Sequence, residues 1–203
     1  MSSPDFAAIV VAGGAGRRLG GVTKPLLPVG GRPMLLRVLD AAAAARPRVV
    51  VGPPSLAPLL PPEVVLTQEQ PPGGGPVAGL AAAVRLVPPG VREAAVLSAD
   101  LPFLTAGVLD ALRSAIDDES DAAVLLDGEG RSQWLCAVWH LPSLRRRLAA
   151  VGDLSGAAMR DLVAGATIRP HAWDGESGPP PWFDCDTDQD IRRAEEWADG
   201  DPR

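Results

Sequence analysis

A chain of 203 residues, 46% hydrophobic and 22% charged, suits one folded domain and excludes wholesale disorder. Its net charge of −6 excludes the basic face by which proteins usually hold nucleic acid, and no apolar run reaches the ~18–20 residues of a membrane span. The opening Met-Ser-Ser-Pro-Asp-Phe has no secretory pattern, and Cys136 and Cys185 lie too far apart to read as zinc ligands or a disulfide framework, so a reduced, soluble, cytoplasmic protein is expected.

Residues 6–11, Phe-Ala-Ala-Ile-Val-Val, form an apolar run ended by glycines and predict a buried strand of the parallel-sheet kind. A Gly-rich loop follows to Lys24. Residues 33–45 carry a helical pattern with Pro33 at its first turn. Strands are expected at 48–51 and 64–66. The Gly/Pro-rich loop 71–76 leads into an Ala-rich helix ending near Val87, and 94–98 is a fourth strand. Thr105 caps a helix with Val108, Leu109, Leu112 and Ile116 on one face. Residues 122–126 predict another strand, and 133–140 a strand of opposite direction. Helices near 142–151 and 155–164, a strand around 166–173, a Gly/Pro loop at 174–181, a short strand at 182–186 and a helix at 187–199 complete the pattern. The alternation predicts a single α/β domain with a doubly wound, mostly parallel sheet spanning residues 1–203, its ordered core covering 6–199. Ligand-binding loops belong at the carboxyl ends of its strands.

Of the 19 basic residues, 18 are Arg and one, Lys24, is Lys. A composition this rich in Ala, Gly, Pro and Arg strips out any lysine that arginine can replace, so Lys24 points to a need for a compact charge on a flexible stem. It ends the loop Ala12-Gly-Gly-Ala-Gly-Arg-Arg-Leu-Gly-Gly-Val-Thr-Lys24. The loop is no dinucleotide fingerprint, because Leu19 stands where Gly is required, and no P-loop, because Pro25 follows Lys24. Its backbone N–H groups suit phosphate oxygens or a base edge, and Arg17, Arg18 and Lys24 suit a triphosphate; the plainer alternative is a strand-to-helix turn with solvated arginines. Lys24 is expected in a loop without core contacts. Asp100 follows an apolar strand and precedes a proline, so its carboxylate emerges at the functional edge, as a metal ligand or as a turn aspartate. Asp184 and Asp186 alternate around Cys185 and share a side, as a further metal carboxylate or as caps of the last helix. The glycines of 73–79 leave no side-chain obstruction to a ligand. His140 and His171 belong to no nucleophile signature. Arg145-Arg-Arg147 is a solvated face or a seat for an anion, and Trp134 is a candidate for stacking on a planar ring.

These residues resemble a known family. Residues 12–27, Ala-Gly-Gly-Ala-Gly-Arg-Arg-Leu-Gly-Gly-Val-Thr-Lys-Pro-Leu-Leu, are similar to the signature loop of nucleotidyltransferases related to molybdenum cofactor guanylyltransferase. The resemblance continues in Gly73-Gly-Gly-Pro-Val-Ala-Gly-Leu80, Ser98-Ala-Asp-Leu-Pro-Phe103 and Phe183-Asp-Cys-Asp-Thr-Asp-Gln-Asp190, in the family's order. It implies a nucleotide-diphospho-sugar-transferase-like, Rossmann-type fold that binds a nucleoside triphosphate and Mg²⁺. The implied reaction transfers GMP from GTP to the phosphate of molybdopterin or its metal-loaded form, with release of pyrophosphate. The implied catalytic residues are Lys24, Arg18 and Asp100, with Asp100 and Asp186 at the metal. Nucleotide contacts fall on Val11, Ala12, Gly13, Gly14, Gly16, Lys24, Gly52, Gln68, Glu69, Gly75 and Asp100. Transient contacts with cofactor-delivery proteins are a further implication. The guanylyl branch commonly has an acidic residue before the second glycine loop and an Asn after the second strand; here Thr67-Gln-Glu-Gln70 and Gly52 stand there. Gly52 is expected to leave room for a purine, with Glu69 as an acceptor for its donors. The rivals are cytidylyl transfer to the same cofactor, guanylyl transfer to another phosphorylated acceptor, and a non-catalytic nucleotide- or partner-binding member.

Overall fold

Six apolar residues in succession, every one buried, make β1 (Phe6–Val11) an interior strand of a seven-stranded sheet. The computed structural model of the chain describes residues 6–13, 18–19, 22–174 and 178–200. After β1 come α1 (Met34–Ala41), β2 (Arg48–Val51), β3 (Val64–Thr67), α2 (Gly75–Val84), β4 (Glu93–Ser98), α3 (Ala106–Ala115), β5 (Ala122–Leu126), β6 (Ser132–His140), α4 (Leu141–Ala150), α5 (Met159–Val163), β7 (Ile168–Ala172) and α6 (Asp188–Gly200). The strand order is β7-β5-β6-β4-β1-β2-β3. Only β6 runs against its neighbours, β4 and β5. The Asp127 carboxylate shapes the tight turn into it by accepting from the N–H groups of Glu129 and Arg131, both at 2.9 Å.

Alternation along each strand builds two cores. Ala8, Val10, Val50 and Leu97 face α1 and α3 on one side. Ile9, Val49, Val51 and Val96 face α2 and α4 on the other. A sheet covered on both faces explains why its strands read as continuous apolar runs. Gly79 lies inside α2 rather than in a loop, and its reason is packing. A Cβ there would stand 2.7 Å from Val51 Cγ1, so the missing side chain lets the helix close on β2.

Several boundaries differ from expectation. α1 stops at Ala41, after which the chain makes short turns before Arg46 N–H reaches Phe6 O at 2.7 Å. α5 is shorter than the 155–164 pattern, because Gly156 adopts φ 75° and donates to Gly74 O. Residues 182–186 are not a strand: Cys185 N–H goes to Asp100 O instead of a sheet ladder. Thr187 and Asp190 cap α6 reciprocally, with Thr187 N–H donating to Asp190 Oδ2 at 2.7 Å and Asp190 N–H to Thr187 Oγ1 at 3.2 Å. That helix therefore has its cap without Asp184 or Asp186.

Candidate active site

The chain leaves β1 toward β2 on one side and pairs with β4 on the other, so a crevice opens at the carboxyl end of β1. Ala12 N–H still bonds Val51 O at 2.8 Å and Ala99 N–H bonds Val11 O at 3.0 Å. Beyond these bonds the strands part. Across the gap, Lys24 Nζ lies 2.5 Å from Asp100 Oδ2 and 2.6 Å from Asp186 Oδ1. Three residues separated by 76 and 162 positions in sequence thus meet at one point.

Lys24 is not a loop lysine free of contacts, as the sequence suggests. It opens a 3₁₀ turn, Lys24–Leu26, and its side chain is only 9% exposed. The turn with Pro25 at its second position presses the lysine inward, where two carboxylates neutralise it. Burial pulls its pKa down, but Asp100 and Asp186 outweigh burial and leave it raised. Asp100, at 18% exposure, is further held by Ser98, whose Oγ donates to Asp100 Oδ1. Asp186 is 46% exposed. Asp184, also in this acidic edge, has its pKa raised by burial and by the charges of Asp186 and Asp100.

A cavity of about 430 Å³ opens beside the cluster, lined by Val11, Ala12, Gly13, Thr23, Lys24, Pro25, Pro76, Ser98, Ala99, Asp100, Leu135 and Asp186. A second, of about 370 Å³, lies across Ser98, Asp100 and Asp186 and adds Gln133, Trp134, Met159 and Asp184. It owes its shape to an irregularity in β6: the register with β5 shifts between Ser132 and Ala137. Such bulges re-aim side chains beside functional sites. Trp134 lines this second cavity.

The structure thus gathers Val11, Ala12, Gly13, Lys24, Asp100 and Asp186 from the expected set. Gly75 begins α2 with φ 87° and places Pro76 at the cavity wall. Three expectations need correction. Gly52 offers no open space, because a Cβ there would meet Leu56 Cδ1 at 2.6 Å. Gln68 and Glu69 line a different groove, beside Arg85 and residues 152–155, and the Glu69 carboxylate accepts Gly73 N–H at 2.8 Å. A free N–H just before α2 draws the carboxylate, as anions are drawn to helix starts. Gly14, Gly16 and Arg17 lie outside the described residues. Arg18 pairs through its backbone with Thr23 in a two-stranded ribbon. The arginine run is engaged within the fold: Arg145 bonds Val87 O, Arg146 the Asp121 carboxylate, and Arg147 Leu162 O and Gly165 O. His140 Nε2 meets Asp117 O, and neither histidine lines the two site cavities. Ser98 and Leu135 escape a sequence reading; an apolar strand ending in Ser two residues before Asp100 is the signal for the first.

A parallel sheet with a charged cluster at its switch point is the architecture of nucleotide-handling α/β domains. Comparison with known proteins sharpens this. The MobA-like NTP transferase domain model matches residues 8–170. The probable molybdenum cofactor guanylyltransferase of Mycobacterium ulcerans (strain Agy99) is 34% identical over 165 residues, covering 77% of this chain and 80% of that protein. The molybdenum cofactor guanylyltransferase of Rhodopseudomonas palustris (strain HaA2) is 32% identical over 212 residues, covering 98% and 95%. In fold, the chain is similar to the crystal structure of molybdopterin-guanine dinucleotide biosynthesis protein A from Archaeoglobus fulgidus, with a TM-score of 0.73 at 23% identity, covering 94% of this chain and 97% of that one. The chain belongs to the MobA-like NTP transferase family and is a nucleotidyltransferase by class.

Proposed function

We propose that this protein transfers the GMP moiety of GTP to the terminal phosphate of molybdopterin, or of its metal-loaded form. An oxygen of the acceptor phosphate attacks the α-phosphorus of GTP. A new P–O bond forms, the bond to the β-phosphate oxygen breaks, and pyrophosphate leaves with that electron pair. The acceptor is already a nucleophile, so no Ser, Cys or His is required, in keeping with buried cysteines and remote histidines. The observation that carries the reading is the meeting of Lys24, Asp100 and Asp186 at the β1–β4 crevice.

Asp100 and Asp186, brought together on either side of the Lys24 ammonium, make an all-oxygen donor pair that fits Mg²⁺, which takes one or two carboxylates plus substrate phosphates. Asp100 and Asp186 would hold it, and when bound it supplies charge neutralisation for the triphosphate. Lys24, beside the same two carboxylates, donates to phosphate oxygens next to the ion, and Arg18 adds a second positive charge. Ser98 fixes the orientation of the Asp100 carboxylate. The cavity beside Gly13 and Pro76 receives the nucleotide, where backbone donors and acceptors of Ala12 and Gly13 read the guanine edge. The cavity with Trp134 and Met159 receives the pterin of the acceptor, its ring against the indole. Catalysis is then positioning plus charge stabilisation.

The test measures pyrophosphate release from ATP, CTP, GTP and UTP, each with and without molybdopterin. Release from GTP only when molybdopterin is present, with the guanine dinucleotide as co-product, is the expected result. A cytosine dinucleotide as the main product would overturn the guanylyl assignment, and release without any acceptor would overturn the transfer itself.

A further inference from the structure

Behind the charged cluster lies a third, small core, separate from those on the two faces of the sheet. Its buried members are Val29, Met34, Cys185 and Ala194. Each charged residue reaches this core through a near neighbour in sequence: Lys24 through Val29, Asp100 through Phe103, Asp186 through Phe183 and Cys185. α6 supplies the common partner. Its Trp197 packs edge-on against Phe103, with centroids 5.7 Å apart at 72°, and against Phe183, at 4.9 Å and 74°. The same helix takes the N–H of Gly30 on Glu195 Oε2 at 3.1 Å. Arg37 closes the other side, donating to Pro102 O at 2.8 Å and Val29 O at 3.1 Å.

Something must hold this arrangement. Lys24 offsets the repulsion between Asp100 and Asp186, but residues 182–186 belong to no strand. Their backbone tie to Asp100 O is long, at 3.4 Å. Edge-to-face aromatic pairs have a preferred angle, which an aliphatic contact lacks. We propose that Trp197 is a positioning residue: from outside both site cavities it holds the segments bearing Asp100 and Asp186 so that their carboxylates converge on Lys24. The inference rests on the nucleotidyl-transfer reading for its effect on substrate.

The two cysteines provide a probe independent of that reading. Both are buried and free. Cys185 belongs to the small core, whereas Cys136 belongs to a main one. Parent, Trp197→Ala, Trp197→Leu and Trp197→Phe are labelled with a thiol reagent, the sites are read by mass spectrometry, and GTP binding in Mg²⁺ is measured by calorimetry. In Trp197→Ala, Cys185 labels about tenfold faster and gains more than Cys136, which lies at the wall of the second cavity, and the Kd for GTP rises about tenfold, as misplaced site groups predict. Trp197→Phe restores both. If the Ala variant unfolds, both cysteines label together, and Trp197→Leu carries the same comparison. Unchanged Cys185 labelling overturns the proposal, as does faster labelling with unchanged GTP affinity. A parent that binds no GTP overturns the functional reading instead, and the labelling rates still decide whether Trp197 holds the Asp186 segment.

Discussion

At the scale of single residues, the shape of a charge matters as much as its sign. One ammonium serves two carboxylates, at 2.5 and 2.6 Å; a planar guanidinium spreads its charge over three nitrogens and does not concentrate it at that point. Lys24→Arg is therefore expected to lose at least about tenfold in kcat while keeping its far-UV spectrum, and parent-like turnover would refute the point-charge argument. Lys24→Ala should lose activity and also melt lower, because two acids then face one another. Asp100→Asn should abolish turnover at low Mg²⁺, whereas Asp186→Asn should be milder, since Asp186 is the more exposed. Base selection should survive Glu69→Gln. That carboxylate is bound to Gly73 N–H in another groove, and competition between equal GTP and CTP checks whether the product ratio moves.

Elements place these residues through close approach rather than through long-range attraction. α2 must press on β2 for Pro76 to reach the cavity wall, and Gly79 permits it. Gly79→Ala puts a methyl 2.7 Å from Val51 Cγ1, the side chain of a buried strand. Overpacking of this kind costs about 1–3 kcal/mol, which urea unfolding would report as a lower midpoint at unchanged slope. β6 contributes differently. Its register with β5 shifts between Ser132 and Ala137, and that irregular stretch supplies Trp134 and Leu135 to the two cavities. α6 enters neither cavity, yet it carries the aromatic contact that the Asp186 segment lacks from the sheet.

Over the whole molecule, the carboxylates set the response to pH. Asp121 is disfavoured by burial, but Ser143, the Thr167 N–H and Arg146 more than offset this and lower its pKa. Asp117, held by Ser120 and Arg169, is lowered too. Such groups stabilise the fold above their ordinary value of 3.8, and that contribution is lost as pH falls through the folded value. Asp184 works in the opposite sense: its raised pKa means the folded state takes up that proton first, which slightly favours folding as acid is added. Lys24, raised above 10.5, keeps its contribution below the ordinary lysine value and loses it only in stronger alkali. The expected profile is a decline below about pH 4 and a plateau through neutrality. Urea midpoints against pH would show it, and Asp121→Asn should flatten the acid limb.

The sequence by itself determined the doubly wound sheet, because strands buried on both faces must be apolar throughout and helices between them must be amphipathic. It also marked Lys24 and Asp100, since a lone lysine after a glycine loop and an acid after an apolar strand are local signals. What only the tertiary structure decided is how distant residues share space. Nothing in the chain near Glu69 tells that its carboxylate turns to Gly73, and nothing near Gly52 tells that Leu56 fills the volume above it. Nothing in the chain near Asp186 tells that Thr187 and Asp190 cap α6 without it. Hydrophobic periodicity is written residue by residue, whereas a cavity is the space left by segments far apart in sequence, and its lining follows from their packing.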